Sequence, residues 1–125
     1  MSRSCSVDAA AFTTQFLSVG NELKVTEAQR QEAIALCQQA DQQAALGCMK
    51  SFGTEDFRED LSNVTVPTLV IHGDGDATVP FDGSGARTHA AISHSELAVL
   101  ADAPHGCNVS HGDEFNAALI AFLAR

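Results

Sequence analysis

The feature that constrains this chain most is a change of sequence period near residue 64. Residues 1 to about 60 are rich in Ala and Gln and follow helical spacing, whereas residues 66–71 form a mostly β-branched run that leads into a loop of Gly and Asp. Such a run is typical of a strand buried on both faces of a parallel sheet. The sequence therefore predicts a helical first half and an α/β second half.

The second half follows the order strand, loop, helix, strand, loop, helix. After the strand at 66–71 we predict a helix over residues 84–92, a strand over residues 96–100 and a last helix that Asp113 caps. Two strands joined by a helix are expected to be parallel, with functional residues in the loops after their carboxyl ends. The fold class is therefore α/β, with a parallel β-α-β-α unit.

In the first half, the capping box of Thr26 and Gln29 predicts a helix from Glu27, and no Gly or Pro interrupts the chain before Gly47. Residues 8–23 are predicted to be helical, and Thr54 is predicted to cap a short helix after it. Small residues recur at helical spacing and predict a packing face: Ala33, Cys37, Ala40, Ala44 and Cys48.

Charge, hydropathy and cysteine spacing exclude several kinds of partner and several kinds of structural site. The formal charge is −9, from sixteen acids against seven Lys and Arg, which disfavours nucleic acid and anionic membranes as partners. No stretch approaches transmembrane length, and the N-terminus lacks the apolar segment of a signal peptide. The four cysteines form no Cys-x-x-Cys pair, so we expect no metal site and no disulfide framework. A single cytoplasmic domain of 125 residues fits these features.

Each predicted loop offers one group that a nucleophilic hydrolase requires. Asp76 follows the first strand of the second half and His105 follows the second strand. A carboxylate that fixes the tautomer of an imidazole leaves the other ring nitrogen free to act as a base. Asp74 is an alternative acid, although its position also suits a turn-stabilising role. His72 is interpreted as a strand-end residue that could also touch substrate.

These residues resemble a known family. The stretch from Val66 to Asp76, the pair Val79-Pro80 and the segment Ala103-Pro104-His105-Gly106 are similar in order and spacing to the C-terminal part of α/β-hydrolases. The similarity is greatest to the cofactor-free (non-haem) chloroperoxidase and esterase branch. Residues 52–61 and 110–122 are similar to that branch as well.

The resemblance covers roughly residues 25–125 and implies a partial α/β-hydrolase fold. Residues 1–60 would be a remnant of the helical cap, and residues 61–125 would be the C-terminal part of the core. By the same resemblance, Asp76 and His105 would be the acid and the histidine of a Ser-His-Asp triad. The implied substrates are small esters, or carboxylic acids with peroxide, and no cofactor or metal is implied.

In this family the nucleophilic serine lies on a Gly-x-Ser-x-Gly elbow upstream of the acid. The 125 residues contain no such elbow, and the nearest similar segment, around Ser110, follows His105. We therefore expect a chain that needs a missing N-terminal half for activity. The alternative is a catalytically inactive remnant that serves as an oligomerising or binding module, and self-association is expected in both cases. A third hypothesis pairs His105 with Cys107 or Ser110.

Overall fold

The structure is a computed structural model that describes residues 8–125. Residues 1–7 lie outside the described residues. They include Cys5 and the beginning of the N-terminus, for which the sequence predicts no signal peptide. Within residues 8–125, none of the helices combines the length and the hydropathy of a membrane-spanning segment. The elements in chain order are α1 (Ala9–Phe16), β1 (Ser18–Val19), β2 (Glu22–Leu23), α2 (Glu27–Cys37), α3 (Gln42–Thr54), β3 (Leu69–Gly73), α4 (Gly85–Ala91), β4 (Glu96–Leu100), α5 (Cys107–Ser110) and α6 (Gly112–Leu123).

The centre of the fold is a parallel pair of strands, β3 and β4, with a helix packed on each face. Ile71 of β3 and Phe115 of α6 pack against the same buried cluster, whereas Gly85 of α4 lies against the ring of His72. Successive side chains of a strand point to opposite faces, so α4 and α6 cover opposite faces of the sheet. The predicted α/β unit with parallel strands is confirmed.

The observed strand β3 begins later than the sequence predicted. Pairing starts at Leu69, opposite Glu96, and continues to Gly73. Residues 66–68 precede the ladder: Pro67 has no N–H to donate, and only the carbonyl of Thr68 reaches β4, where it accepts from the N–H of Glu96 at 2.9 Å. The predicted bounds of β4 are confirmed.

The N-terminal helix is much shorter than the prediction of residues 8–23. Asp8 caps α1 by accepting hydrogen bonds from the backbone N–H groups of Ala10 and Ala11, and the helix ends at Phe16. The chain then forms the antiparallel hairpin of β1 and β2, in which Gly20 has a φ of 57°. A positive φ favours glycine, so Gly20 allows the turn that replaces the predicted helix.

The long uninterrupted helix predicted before Gly47 is in fact two helices. The capping box of Thr26 and Gln29 is confirmed at the start of α2, but this helix ends at Cys37. Asp41 then caps α3 with its side chain. An Asp side chain competes for backbone N–H groups and favours a new helix start over continuation, which explains the break.

Three further helix predictions are wrong. The predicted packing face is exposed at Cys37 and Cys48, and Ile34 is the buried residue of α2 instead. Thr54 is the last residue of α3 and caps no following α-helix. Asp113 lies in the first turn of α6 but does not cap it.

The buried core is small, and its main cluster lies beside the end of β4. This cluster consists of Leu100, Ala103 and Cys107, with Ile71 and Phe115 packed against it. Leu17, Ile34 and Ile92 are buried as well. Many large apolar side chains are exposed, among them Leu36, Leu46, Met49, Phe52, Phe57, Val66, Ile120 and Leu123. Much of the apolar surface, especially on α3, is therefore left uncovered by the described residues.

Gly73 ends β3 where the chain passes close to the loop after β4. A Cβ atom at Gly73 would lie 2.2 Å from the carbonyl oxygen of Ala103.

We expect Gly73→Ala to lower the free energy of unfolding by about 1–3 kcal/mol, because the backbone of either β3 or the loop after β4 must move to make room for the methyl group. The control is Gly47→Ala inside α3, where no atom lies within 4 Å of the added Cβ. It should raise the free energy of unfolding by about 0.5–1 kcal/mol. Urea unfolding measures both, and equal effects would contradict this packing.

Candidate active site

The loops that follow β3 and β4 lie side by side at one edge of the sheet. The N–H of Asp74 donates to the carbonyl of Leu100 at 3.0 Å, and the N–H of Gly75 donates to that of Ala103 at 3.0 Å. The Asp74 carboxylate accepts a hydrogen bond from the backbone N–H of Asp102 at 2.7 Å. Asp74, the alternative acid, therefore joins the two loops.

Asp76 contacts His105 across these loops. Its Oδ2 lies 2.8 Å from His105 Nδ1, and its side chain is only 3% exposed. Its Oδ1 accepts hydrogen bonds from the backbone N–H groups of Thr78 and Val79, at 2.9 Å and 2.8 Å. The structure thus brings together the two residues that the sequence singled out, with the carboxylate held by its own turn.

This contact determines what the imidazole of His105 can do. A carboxylate oxygen accepts, so Nδ1 carries the proton and Nε2 keeps a free lone pair in the neutral ring. The His105 side chain is 39% exposed, so the ring remains accessible. The pair can therefore take a proton from a neighbouring hydroxyl and stabilise the imidazolium that forms.

A segment of the first half, unforeseen by the sequence analysis, packs against His105. The ring of Phe16 lies 4.6 Å from the His105 ring, centroid to centroid. The N–H of Gly106 donates to the carbonyl of Phe16 at 2.7 Å, and a Cβ at Gly106 would lie 2.8 Å from a methyl carbon of Leu17. The end of α1 therefore forms one wall beside the imidazole.

The hairpin after α1 contacts the same two loops. A Cβ at Gly75 would lie 2.6 Å from a methyl carbon of Val19. Lys24 pairs with Asp102 and Glu22, and these hydrogen bonds raise the pKa of Lys24. The sequence did hold a signal for these contacts, because a glycine stands next to each site residue and glycine often marks a close approach of another segment.

Cys107 lacks the properties of a nucleophilic thiolate. The residue is buried, and burial raises the pKa of its thiol, as does the negative charge of Asp76. Reactive cysteines have lowered pKa values in electropositive, accessible surroundings. The hypothesis that His105 activates Cys107 is therefore not supported.

Ser110 is bonded to groups other than His105. Its hydroxyl lies 2.8 Å from His111 Nδ1 and 3.4 Å from the carbonyl oxygen of Gly106. The pairing of Ser110 with His105 that the third hypothesis requires is not among these contacts. Within residues 8–125, no three His, Cys, Asp or Glu side chains are grouped so that they could hold a metal ion.

With this geometry in view, the chain can be compared with known proteins. No protein-family model matches it. It is 42% identical over 78 residues to the non-heme chloroperoxidase CPO-A1 of Kitasatospora aureofaciens. The matched stretch covers 61% of this chain and 28% of that protein. It is 35% identical over 75 residues to a non-heme haloperoxidase of Rhodococcus erythropolis, covering 60% of this chain and 27% of the relative.

The name of a third relative states two activities. The chain is 33% identical over 73 residues to the bifunctional esterase/perhydrolase DCH of Acinetobacter calcoaceticus, covering 58% of this chain and 26% of that protein. The chain thus spans less than a third of the length of each of these relatives.

A solved structure matches almost the whole chain. The crystal structure of bromoperoxidase from Bacillus anthracis superposes with a TM-score of 0.90 at 42% identity, over 94% of this chain and 43% of that chain. Sequence and structure agree on the same group of proteins. The protein therefore has a partial α/β-hydrolase fold of the non-haem haloperoxidase branch.

Proposed function

We propose that Asp76 and His105 are the acid and the base of a Ser-His-Asp triad for ester hydrolysis or perhydrolysis. The nucleophilic serine would come from outside these 125 residues. The observation that carries the proposal is the 2.8 Å contact between Asp76 Oδ2 and His105 Nδ1 at the carboxyl ends of two parallel strands. The esterase/perhydrolase and chloroperoxidase names of the relatives support the reaction class.

In hydrolysis, the serine oxygen attacks the ester carbonyl while its proton passes to His105 Nε2. Asp76 Oδ2 accepts the hydrogen bond from Nδ1 and stabilises the imidazolium. The alcohol leaves with the proton from Nε2, and an acyl-enzyme remains. Water then attacks the acyl group with His105 again as base, which releases the carboxylic acid and restores the serine.

In perhydrolysis, hydrogen peroxide takes the place of water in the second step. The acyl group passes to peroxide, which gives a peracid and the free serine. The peracid then oxidises a halide to hypohalous acid and is itself reduced to the carboxylic acid. A carboxylic acid can replace the ester in the first step, where water leaves instead of the alcohol and the same acyl-enzyme forms. The proposed substrates are therefore small esters, or carboxylic acids with peroxide, and the chemistry needs no haem or metal.

The proposal also assigns roles to the two parts of the chain. Residues 1–60 belong to the helical cap and residues 61–125 to the C-terminal part of the hydrolase core. Both strands of the parallel sheet lie after residue 61, and α1, α2 and α3 lie before it, which supports this division. The protein is proposed to work in the cytoplasm, where its cysteines would stay reduced.

A second candidate function is an oligomerising or binding module without catalysis. Within residues 8–125, β3 and β4 form a two-stranded sheet, so each strand keeps one edge without a strand partner. An open strand edge, together with exposed apolar residues such as Val66 shortly before β3, invites pairing with another chain. Self-association of the isolated chain is therefore proposed under both functions.

The catalytic proposal can be tested in a chimera. The N-terminal part of the Bacillus anthracis bromoperoxidase would be joined to this chain in place of the part that it matches. We expect the chimera to hydrolyse p-nitrophenyl acetate and to form peracid from acetate and peroxide. His105→Ala and Asp76→Asn should lower kcat by about 10³–10⁴-fold, because the general base or its correct tautomer is lost.

The matched control is His94→Ala, which removes an exposed histidine that bonds the carbonyl of Val66. It should leave kcat unchanged. A folded chimera whose activity survives His105→Ala would refute the assignment. Labelling with a fluorophosphonate, followed by intact mass and peptide mapping, provides a second readout: an adduct on the elbow serine of the chimera is expected, and none on the isolated chain.

Self-association can be tested by sedimentation velocity over a range of concentrations. We expect the isolated chain to form species larger than one chain. Val66→Lys should weaken this association by about tenfold or more, equivalent to about 1.4 kcal/mol, because it puts a charge on an exposed apolar position shortly before β3. The control Val109→Lys adds the same charge at an exposed position on α5 and should have little effect. A strictly monomeric chain would contradict this part of the proposal.

A further inference from the structure

His72 lies next to the proposed acid–base pair, and the proposed reaction assigns no role to it. It is the penultimate residue of β3, and its side chain is 13% exposed. Its Nε2 lies 2.8 Å from the carbonyl oxygen of Val79. A carbonyl oxygen can only accept, so Nε2 carries a proton. The ring therefore ties the end of the Asp76–Val79 turn back to the strand from which the turn begins.

The same nitrogen also faces the carboxylate of Asp76. His72 Nε2 lies 3.3 Å from Asp76 Oδ2, the oxygen that accepts from His105 Nδ1. The carboxylate is thus surrounded by four N–H groups: two backbone groups on Oδ1, and the two imidazoles on Oδ2. The longer contact with His72 is electrostatic: the N–H that donates to the Val79 carbonyl also faces the carboxylate.

The orientation of the His72 ring is fixed by its neighbours. The ring of Phe81 lies 5.5 Å away, centroid to centroid. A Cβ at Gly85 would lie 2.6 Å from His72 Nδ1, so the first residue of α4 has room for this ring only because it is glycine. With Nδ1 turned towards α4, Nε2 is directed at the turn.

We propose that His72 is a positioning residue for the pair of Asp76 and His105. It would act through Asp76, by holding Oδ2 and the Val79 carbonyl in place so that the carboxylate stays aligned with His105 Nδ1. Without this donor, the Val79 carbonyl loses its partner and one restraint on the rotation of the carboxylate disappears. The importance of this role for catalysis rests on the proposed function, but the restraint itself can be measured on the isolated chain.

The first measurement needs no substitution. Long-range ¹H–¹⁵N correlation spectra of the full chain at about pH 8, where ordinary histidines are neutral, report which ring nitrogen carries the proton. We expect His72 as the Nε2–H tautomer and His105 as the Nδ1–H tautomer. His72 in the Nδ1–H form would overturn the proposal, because that ring could not donate to Val79.

The second measurement compares variants by the exchange of the His105 Nδ1 proton with water. His72→Phe keeps a ring against Phe81 but removes the donor, and exchange should become at least about tenfold faster. His72→Gln restores an N–H donor and should recover most of the protection. The matched control is His94→Phe, which removes the similar bond of His94 Nε2 to the Val66 carbonyl and should change nothing at His105.

These outcomes distinguish a positioning role of His72 from a merely structural role. They also distinguish failure of the positioning role from failure of the proposed function. If His72→Phe folds and leaves the His105 proton unchanged, the positioning role is wrong. If His72→Phe does not fold, His72→Gln and the tautomer of the unmodified protein still decide. If the unmodified chain shows no protected His105 Nδ1 proton, the proposed acid–base pair itself fails. If the chimera is inactive while the NMR results hold, only the proposed reaction is lost.

Discussion

The Asp76 carboxylate is the constraint on which the arrangement of the two loops depends. A buried carboxylate is costly unless its oxygens receive hydrogen bonds. One oxygen receives them from the backbone of its own turn, at Thr78 and Val79, and the other from His105 on the neighbouring loop. The parallel register of β3 and β4 places both loops within reach, so the pairing of the strands and the burial of the charge support each other.

Elements with strong local signals could be predicted from the sequence. Strand β4 was predicted at its observed bounds, because an apolar run between turn residues marks both of its ends, and the capping box at Thr26 marked the start of α2. The ends of helices were predicted poorly. Asp41 starts a new helix where no Gly or Pro signals a break, and Gly20 turns the chain where helical spacing alone suggested continuation.

The acid and the base could be picked out because the order of elements implied two parallel strands with adjacent loops. The wall formed by Phe16 could not, since nothing in the sequence around Phe16 indicates which distant segment it will meet. The same holds for His72, whose partner is a backbone carbonyl and leaves no side-chain signature. Contacts that depend on tertiary packing or on main-chain acceptors carry little sequence signal, and these contacts complete the candidate site.

The hydrogen bond between Gly106 and Phe16 also has a consequence for how the chain is made. Gly106 follows Phe16 by about ninety residues, so α1 emerges from the ribosome long before its partner loop exists. Contacts between segments so far apart slow folding, because a long loop must close before they form. During synthesis, α1 could pack only against segments made soon after it, such as α2, and the surroundings of the imidazole would be completed only near the end of translation of this segment.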